Sequence, residues 1–231
     1  MFRKLAFLGV AIAIGMFTAT SAQAGPTPVW DGDCTNFHYF DGTDLDGHFG
    51  TPFPAGNTLY FGSTSFSATG VPGQPADTDN DTVTFKIDVE PGYYLTDITA
   101  VAYGNYDVAG ATSYVEHASV LTVTERDGLL RSWQDTMLHN PVVDPFKIYG
   151  PAQANWNGIA EITELGSLID PPDDNLEISL SSLLTAFADV GGSASINHSF
   201  QQIGFEFHFI PEPGTLCLLG LGTLALLRRR R

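Results

Sequence analysis

Carboxylates dominate the chemistry this chain could offer. Asp77-Thr78-Asp79-Asn80-Asp81 sets three of them on alternate residues, just ahead of an apolar alternation. Hard cations such as Ca²⁺ take several oxygen ligands, and a short acidic loop can wrap one. Asp77, Asp79 and Asp81 are therefore the candidate metal ligands, with Ca²⁺ the one cofactor in prospect. The EF-hand pattern does not fit. Thr82 stands where glycine is needed, and the residue at the twelfth position, Asp88, falls inside a predicted strand. The rival reading is a solvated acidic turn. Asp41-Gly42-Thr43-Asp44-Leu45-Asp46-Gly47 forms a second acidic loop, flanked by Phe37, His38, Tyr39, Phe40, His48 and Phe49. Aromatic faces beside carboxylates suit a sugar, but the same aromatics serve equally well as core. Trp133 and Trp156 carry the same two readings.

Signs of catalysis are sparse. The chain has no Gly-x-Ser-x-Gly elbow and no His-Glu-x-x-His zinc helix. Its six histidines are scattered, with no two at helix-ligand spacing. Glu161 and Glu164 flank one apolar segment, and paired carboxylates can hydrolyse glycosides, but only at a fixed separation in space. Cys34 has no histidine tied to it by any motif. No catalytic residue is assigned, and the chain is expected not to be an enzyme.

The elements that must position these residues read as strands. From Val83 to Val89, Val83, Phe85, Ile87 and Val89 alternate with Thr84, Lys86 and Asp88, the period of a half-buried strand. Glu90-Pro91-Gly92 is a turn signal, after which Tyr93 to Tyr103 is rich in β-branched and aromatic residues. Ser113 to Arg126 is a further strand, and Asp127-Gly128 predicts a tight hairpin into Leu129 to Trp133. Leu176, Ile178 and Leu180 alternate with polar residues. Ile203, Phe205, Phe207 and Phe209 do so again, with Glu206 and His208 facing out. Ser181 to Ala188 also suits a short helix. Pro52 to Pro54, Pro72 to Pro75, Pro141 to Pro151 and Pro171-Pro172 read as breaks. Without internal repeats, this pattern predicts an all-β domain, an antiparallel β-sandwich of jelly-roll or immunoglobulin-like type, over residues 25–209.

Both ends read differently. Arg3 and Lys4, an apolar stretch from Leu5 to Phe17, and the small residues Ala22 and Ala24 make residues 1–24 a secretory signal peptide, a helix removed on export. At the other end, Pro211-Glu212-Pro213 precedes an uncharged apolar run from Thr215 to Leu227, closed by Arg228, Arg229, Arg230 and Arg231. The prolines force extended backbone on themselves and on the residue before each. The run predicts a hydrophobic helix of roughly 20 Å, short against a hydrocarbon core of roughly 30 Å. The arginines favour a cytoplasmic terminus and can snorkel to recover part of the mismatch.

In the order of these parts, residues 210–231 resemble the PEP-CTERM sorting signal of Gram-negative bacteria. The resemblance covers only this tail. It implies export through the secretion machinery, a transient inner-membrane anchor, and recognition near Pro211-Glu212-Pro213 by exosortase, a membrane cysteine protease. It further implies release to the envelope or the extracellular matrix, often beside exopolysaccharide and biofilm.

Charge agrees with an exported domain and excludes one class of partner. The net charge is −16, with 26 acidic and 10 basic side chains. Six of the bases belong to the two ends, which leaves Lys86, Arg126, Arg131 and Lys147 in the middle. Such a field opposes nucleic acid. Only Cys34 and Cys217 are present, so no disulfide is expected within the domain, and its core must hold it. The expectation is a non-catalytic surface or matrix protein. The alternatives are a Ca²⁺-assisted carbohydrate-binding module and a secreted hydrolase.

Overall fold

The alternation that begins at Val83 builds one of the two sheets of a β-sandwich. The computed structural model describes residues 30–62, 66–126, 131–140, 146–163, 165 and 175–212, with backbone alone at 199–202. The predicted signal segment with Ala22 and Ala24, Glu164, the Asp127-Gly128 hairpin and the tail from Pro213 to Arg231 lie outside the described residues. Among the described residues no helix is long and apolar enough to cross a membrane.

Among the described residues fourteen strands form two antiparallel sheets of seven. The first sheet runs β1 (Trp30–Asp33), β2 (Phe37–Asp44), β6 (Asp77–Val89), β13 (Asn175–Phe187), β8 (Tyr114–Glu125) and β11 (Lys147–Tyr149), with β9 (Ser132–Thr136) also on β8. The second runs β10 (Leu138–Asn140), β12 (Ala152–Ile162), β7 (Tyr93–Ala109), β14 (Ser193–Pro211), β4 (Thr58–Phe61) and β3 (Pro52–Ala55), with β5 (Ser67–Gly70) also on β14.

Aromatic rings from both sheets meet between them. Phe85 of β6 packs edge-on to Phe205 of β14 at 5.1 Å, and Phe61 of β4 packs against Phe205 at 5.6 Å. Such pairs add about 0.5–1.5 kcal/mol each beyond the burial itself. Phe37, Tyr39 and Phe49 are buried in this core, so the aromatics around the second acidic loop mostly pack rather than present a platform. Trp156 is core as well, and Trp133 lies half-buried against it.

Three local expectations are corrected. Ser181 to Ala188 is not helical; it continues β13, with Ser182, Leu184 and Ala186 buried and Leu183 exposed. The segment pairs with β6 on one side and β8 on the other, and this two-sided pairing overrides a weak helical preference. Pro52 to Pro54 does not break structure but forms the edge strand β3, where a proline costs no ladder bond on its solvent side. Asp77 to Asp81 is not a loop before a strand but the first five residues of β6, and Asp41 to Asp44 likewise ends β2, with a bulge between Phe40 and Thr43.

Chain crossing between the sheets sets up the site. β9 leaves the first sheet at Thr136, Met137 is buried at the crossing, and β10 enters the second sheet at Leu138. The Met137 N–H donates to the Ser119 carbonyl at 2.9 Å. Two residues on, His139 is thereby turned into the interior opposite β8.

Candidate functional site

Polar side chains inside a sandwich are costly unless hydrogen-bonded. Glu125 is paired with Arg131 and Ser113 accepts the Asp189 N–H, and the others form two groups. The first is an aspartate pair. Asp44 ends β2 and Asp81 lies on β6, and both are almost wholly buried. Asp44 accepts the N–H groups of Gly47, Phe49 and Gly50 at 2.9–3.1 Å. Asp81 accepts those of Asp46, His48 and Thr82. The two carboxyls therefore fold residues 45–50 around themselves by serving as its acceptors. Burial, a hydrogen bond to Asp81 and the Asp81 charge push the Asp44 carboxyl up to about 7.

The other two carboxylates of the candidate metal triplet face the same way. Asp79 accepts the Ser67 N–H at 3.0 Å and sits 3.2 Å from His48 Nε2, while Asp77 accepts the Thr69 N–H at 2.8 Å. They tie β5 to the start of β6. Asp77, Asp79 and Asp81 thus fall on one side of a strand, each with backbone N–H groups as partners. Among the described residues no group of three or more His, Cys, Asp or Glu is arranged to hold a metal ion.

The second group is a histidine cluster. His117 comes from β8, His139 from β10 and His198 from β14, and all three are buried. His117 Nδ1 is 2.5 Å from His139 Nε2. Ser119 Oγ lies 2.8 Å from His117 Nε2 and 2.5 Å from Ser182 Oγ. Trp156 packs on His117 at 4.4 Å between ring centroids and edge-on to His198 at 4.9 Å. His198 stacks on Phe66 at 4.7 Å, and neither of its ring nitrogens has a hydrogen-bond partner in the structure. Burial, with His139 nearby, pushes His198 down to about 3. Burial first, then His198 and His139, holds His117 well below the usual imidazole range. His117 and His198 are therefore held as neutral imidazoles.

Sequence spacing gave no hint of this cluster, because its members lie on three strands of two sheets. A signal was present in each strand's own register: His117 and His198 fall on the inward parity of their alternations. The connectivity Ser119–His117–His139 is that of nucleophile, base and orienting group. However, Ser119 is only 1% exposed and is also bonded to Ser182. Cys34 is no better placed as a nucleophile: burial first, and then the Asp33 charge, push its thiol up to about 12. Glu161 lies on the exposed side of β12, its N–H donating to Asp135.

The last strand carries the tail. β14 pairs with β7 through Phe209, Ile210 and Pro211, the last opposite Tyr93. The Glu212 N–H then donates to the Gly92 carbonyl at 2.9 Å. No linker separates the core strand from Pro211-Glu212. Residues 209–231 match the model of a PEP-CTERM protein-sorting motif. The tail is a PEP-CTERM sorting signal. No curated protein matches the chain in sequence. A PEP-CTERM signal marks an exported protein, processed by the membrane protein exosortase and sorted to the envelope or beyond it. The folded sandwich is what this PEP-CTERM signal carries.

Proposed function

We propose that the sandwich is a non-catalytic surface or matrix domain, anchored briefly at the inner membrane by its tail and released outside the cell, in an exopolysaccharide setting. The observation that supports this reading is the direct passage of core strand β14 into the sorting motif at Pro211. A domain that ends on its own last strand at the motif is delivered folded, with its outer faces free for matrix partners. Replacing Pro211, Glu212 and Pro213 with alanine leaves export intact and blocks tail processing, read as intact mass in membrane and medium fractions. Normal maturation of that variant sinks the sorting reading.

A secreted hydrolase is the second reading, favoured by the Ser119–His117–His139 connectivity alone. Burial of Ser119 weighs against it. A fluorophosphonate probe, which labels activated serines, is expected to leave the protein unlabelled; labelling lost in Ser119→Ala overturns the non-catalytic reading.

A further inference from the structure

The outer face of the second sheet differs in chemistry from the rest of the domain. Register places Leu138, Ile159, Val101, Gly204, Tyr60 and Phe53 in one straight row across six strands. At about 4.8 Å per strand that row spans roughly 24 Å. Phe53 and Tyr60 stack at 5.3 Å, and Leu138, Ile159 and Phe53 are all exposed. A side chain at Gly204 would sit 3.3 Å from Tyr60 Cδ1 and 3.5 Å from Val101 Cγ2. The Tyr60 ring and the Val101 side chain therefore lie over Gly204, which is buried beneath them.

Amides flank this row. Asn157 and the exposed Tyr103 face each other on the next row, and Asn155, Asn105 and Asn197 line up on the one after. Asn197 Nδ2 donates to Asn105 Oδ1 at 3.0 Å, which leaves donors on Asn105 and an acceptor on Asn197 directed outward. These three rows carry no charged side chain. Carboxylates begin only beyond them, at Asp107 on one side and Glu161 and Glu206 on the other. Lys86, Arg126, Arg131 and Lys147, the four bases of the domain, all lie on or beside strands of the first sheet.

We propose that this face binds an extended, neutral polysaccharide chain. The occupant follows from the chemistry. A polyanion meets no base on the face and carboxylates at its ends, in a chain of net charge −16. An apolar partner would leave the amides unpaired at a cost. Sugar rings offer C–H faces to Tyr103, Tyr60 and Phe53, and paired hydroxyls to the Asn amides, which both donate and accept. The inference names a partner for the matrix domain proposed above and rests on that reading for where the two meet.

The test is native affinity electrophoresis of the protein recovered from its own cells. The gels contain hydroxyethyl cellulose, galactomannan or dextran as neutral probes, and alginate as the anionic one. Retardation is expected in at least one neutral gel and not in alginate. Tyr103→Ala should weaken it about tenfold, a loss of about 1.4 kcal/mol, with the melting temperature unchanged and Tyr103→Phe retaining binding. Retardation in no neutral gel, equal retardation in alginate, or full binding by both Tyr103→Ala and Asn105→Ala overturns the proposal. Tail processing is read separately by mass. Glycan binding by a chain with an uncut tail sinks the sorting reading and keeps the face, and a correctly cut chain that no neutral gel retards does the reverse.

Discussion

His117 Nδ1 and His139 Nε2 lie 2.5 Å apart and belong to opposite sheets. The bond is a polar rivet between the two sheets. A consistent set of donors runs from the Ser182 hydroxyl to Ser119, from Ser119 to His117 Nε2, and from His117 Nδ1 to His139. An added proton has no acceptor carboxylate in that set and puts a positive charge in the core.

Acid should therefore weaken the fold. His198 and His117 are depressed in the folded state, so their contribution to stability is present above the ordinary histidine value of 6.5 and is lost as pH falls below it, for His198 toward about 3. At about 1.4 kcal/mol per unit, His198 alone makes this several kcal/mol. Urea midpoints are expected to fall between pH 7 and pH 4, and His198→Phe should flatten that fall. An unchanged slope in the variant would show that carboxylates, not imidazoles, set the acid limit.

Alkali should act through Asp44. Its carboxyl is raised, so its contribution is present below the ordinary aspartate value and is lost as pH rises through about 7. Ionising it beside Asp81 places two charges at one buried spot. Asp44→Asn keeps an oxygen for the Phe49 and Gly50 N–H groups, gives up the acceptor of the Gly47 N–H, and gives Asp81 an amide donor. Relative to the parent, the variant should gain stability from pH 4 to pH 8.5, with nearly all of the gain complete by about pH 7. Asp44→Ala orphans those N–H groups and should lose about 1–3 kcal/mol at both pH values. Together with the histidines, the pair predicts greatest stability between pH 6 and 7.

How far the sequence was legible follows from where each signal lived. Val83 to Val89 and Ile203 to Phe209 announced their strands because one face is buried and the other is wet. The sorting tail was legible for the same local reason, since its proline pair, apolar run and arginines are contiguous. The segment from Ser181 to Ala188 misled, because its pairing on both sides lies in distant strands. Asp77 to Asp81 read as a loop because aspartate is a poor strand former. What makes it a strand is its ladder with Ser182 to Ala186 of β13, and its carboxylates are satisfied by the N–H groups of Ser67, Thr69, Asp46 and His48, most of them distant in sequence. The histidine cluster and the row from Leu138 to Phe53 depend on strand order, which a single sequence does not encode in any local pattern.

Cys34 should behave as a half-buried, protonated thiol. With its thiol pushed up to about 12, little thiolate exists at pH 8. Iodoacetamide at pH 8 is expected to label Cys34 at least about tenfold more slowly in the folded protein than in urea. Equal rates would show that the thiol is open and ionised, and would restore it as a nucleophile.

Gly104 tests the packing that seats the cluster. It lies opposite His198 in the β7–β14 ladder. A Cβ there would collide with the Asn197 carbonyl oxygen and the Trp156 ring. The carbonyl belongs to a ladder strand and cannot rotate away, so Gly104→Ala must part β7 from β14 or displace Trp156. Overpacking of this kind costs about 1–3 kcal/mol or more, which corresponds to a melting temperature lower by roughly 3–10 °C for a domain of this size. Gly62→Ala, which meets nothing within 4 Å, is the matched control and should stay within about 0.5 kcal/mol of the parent. Gly104→Ala should also shift the pH 4–7 stability slope, because moving Trp156 loosens the burial of His198. If Gly104→Ala matches the control in both melting temperature and slope, β7 and β14 do not approach as closely as described, and the buried state of His198 loses its structural basis.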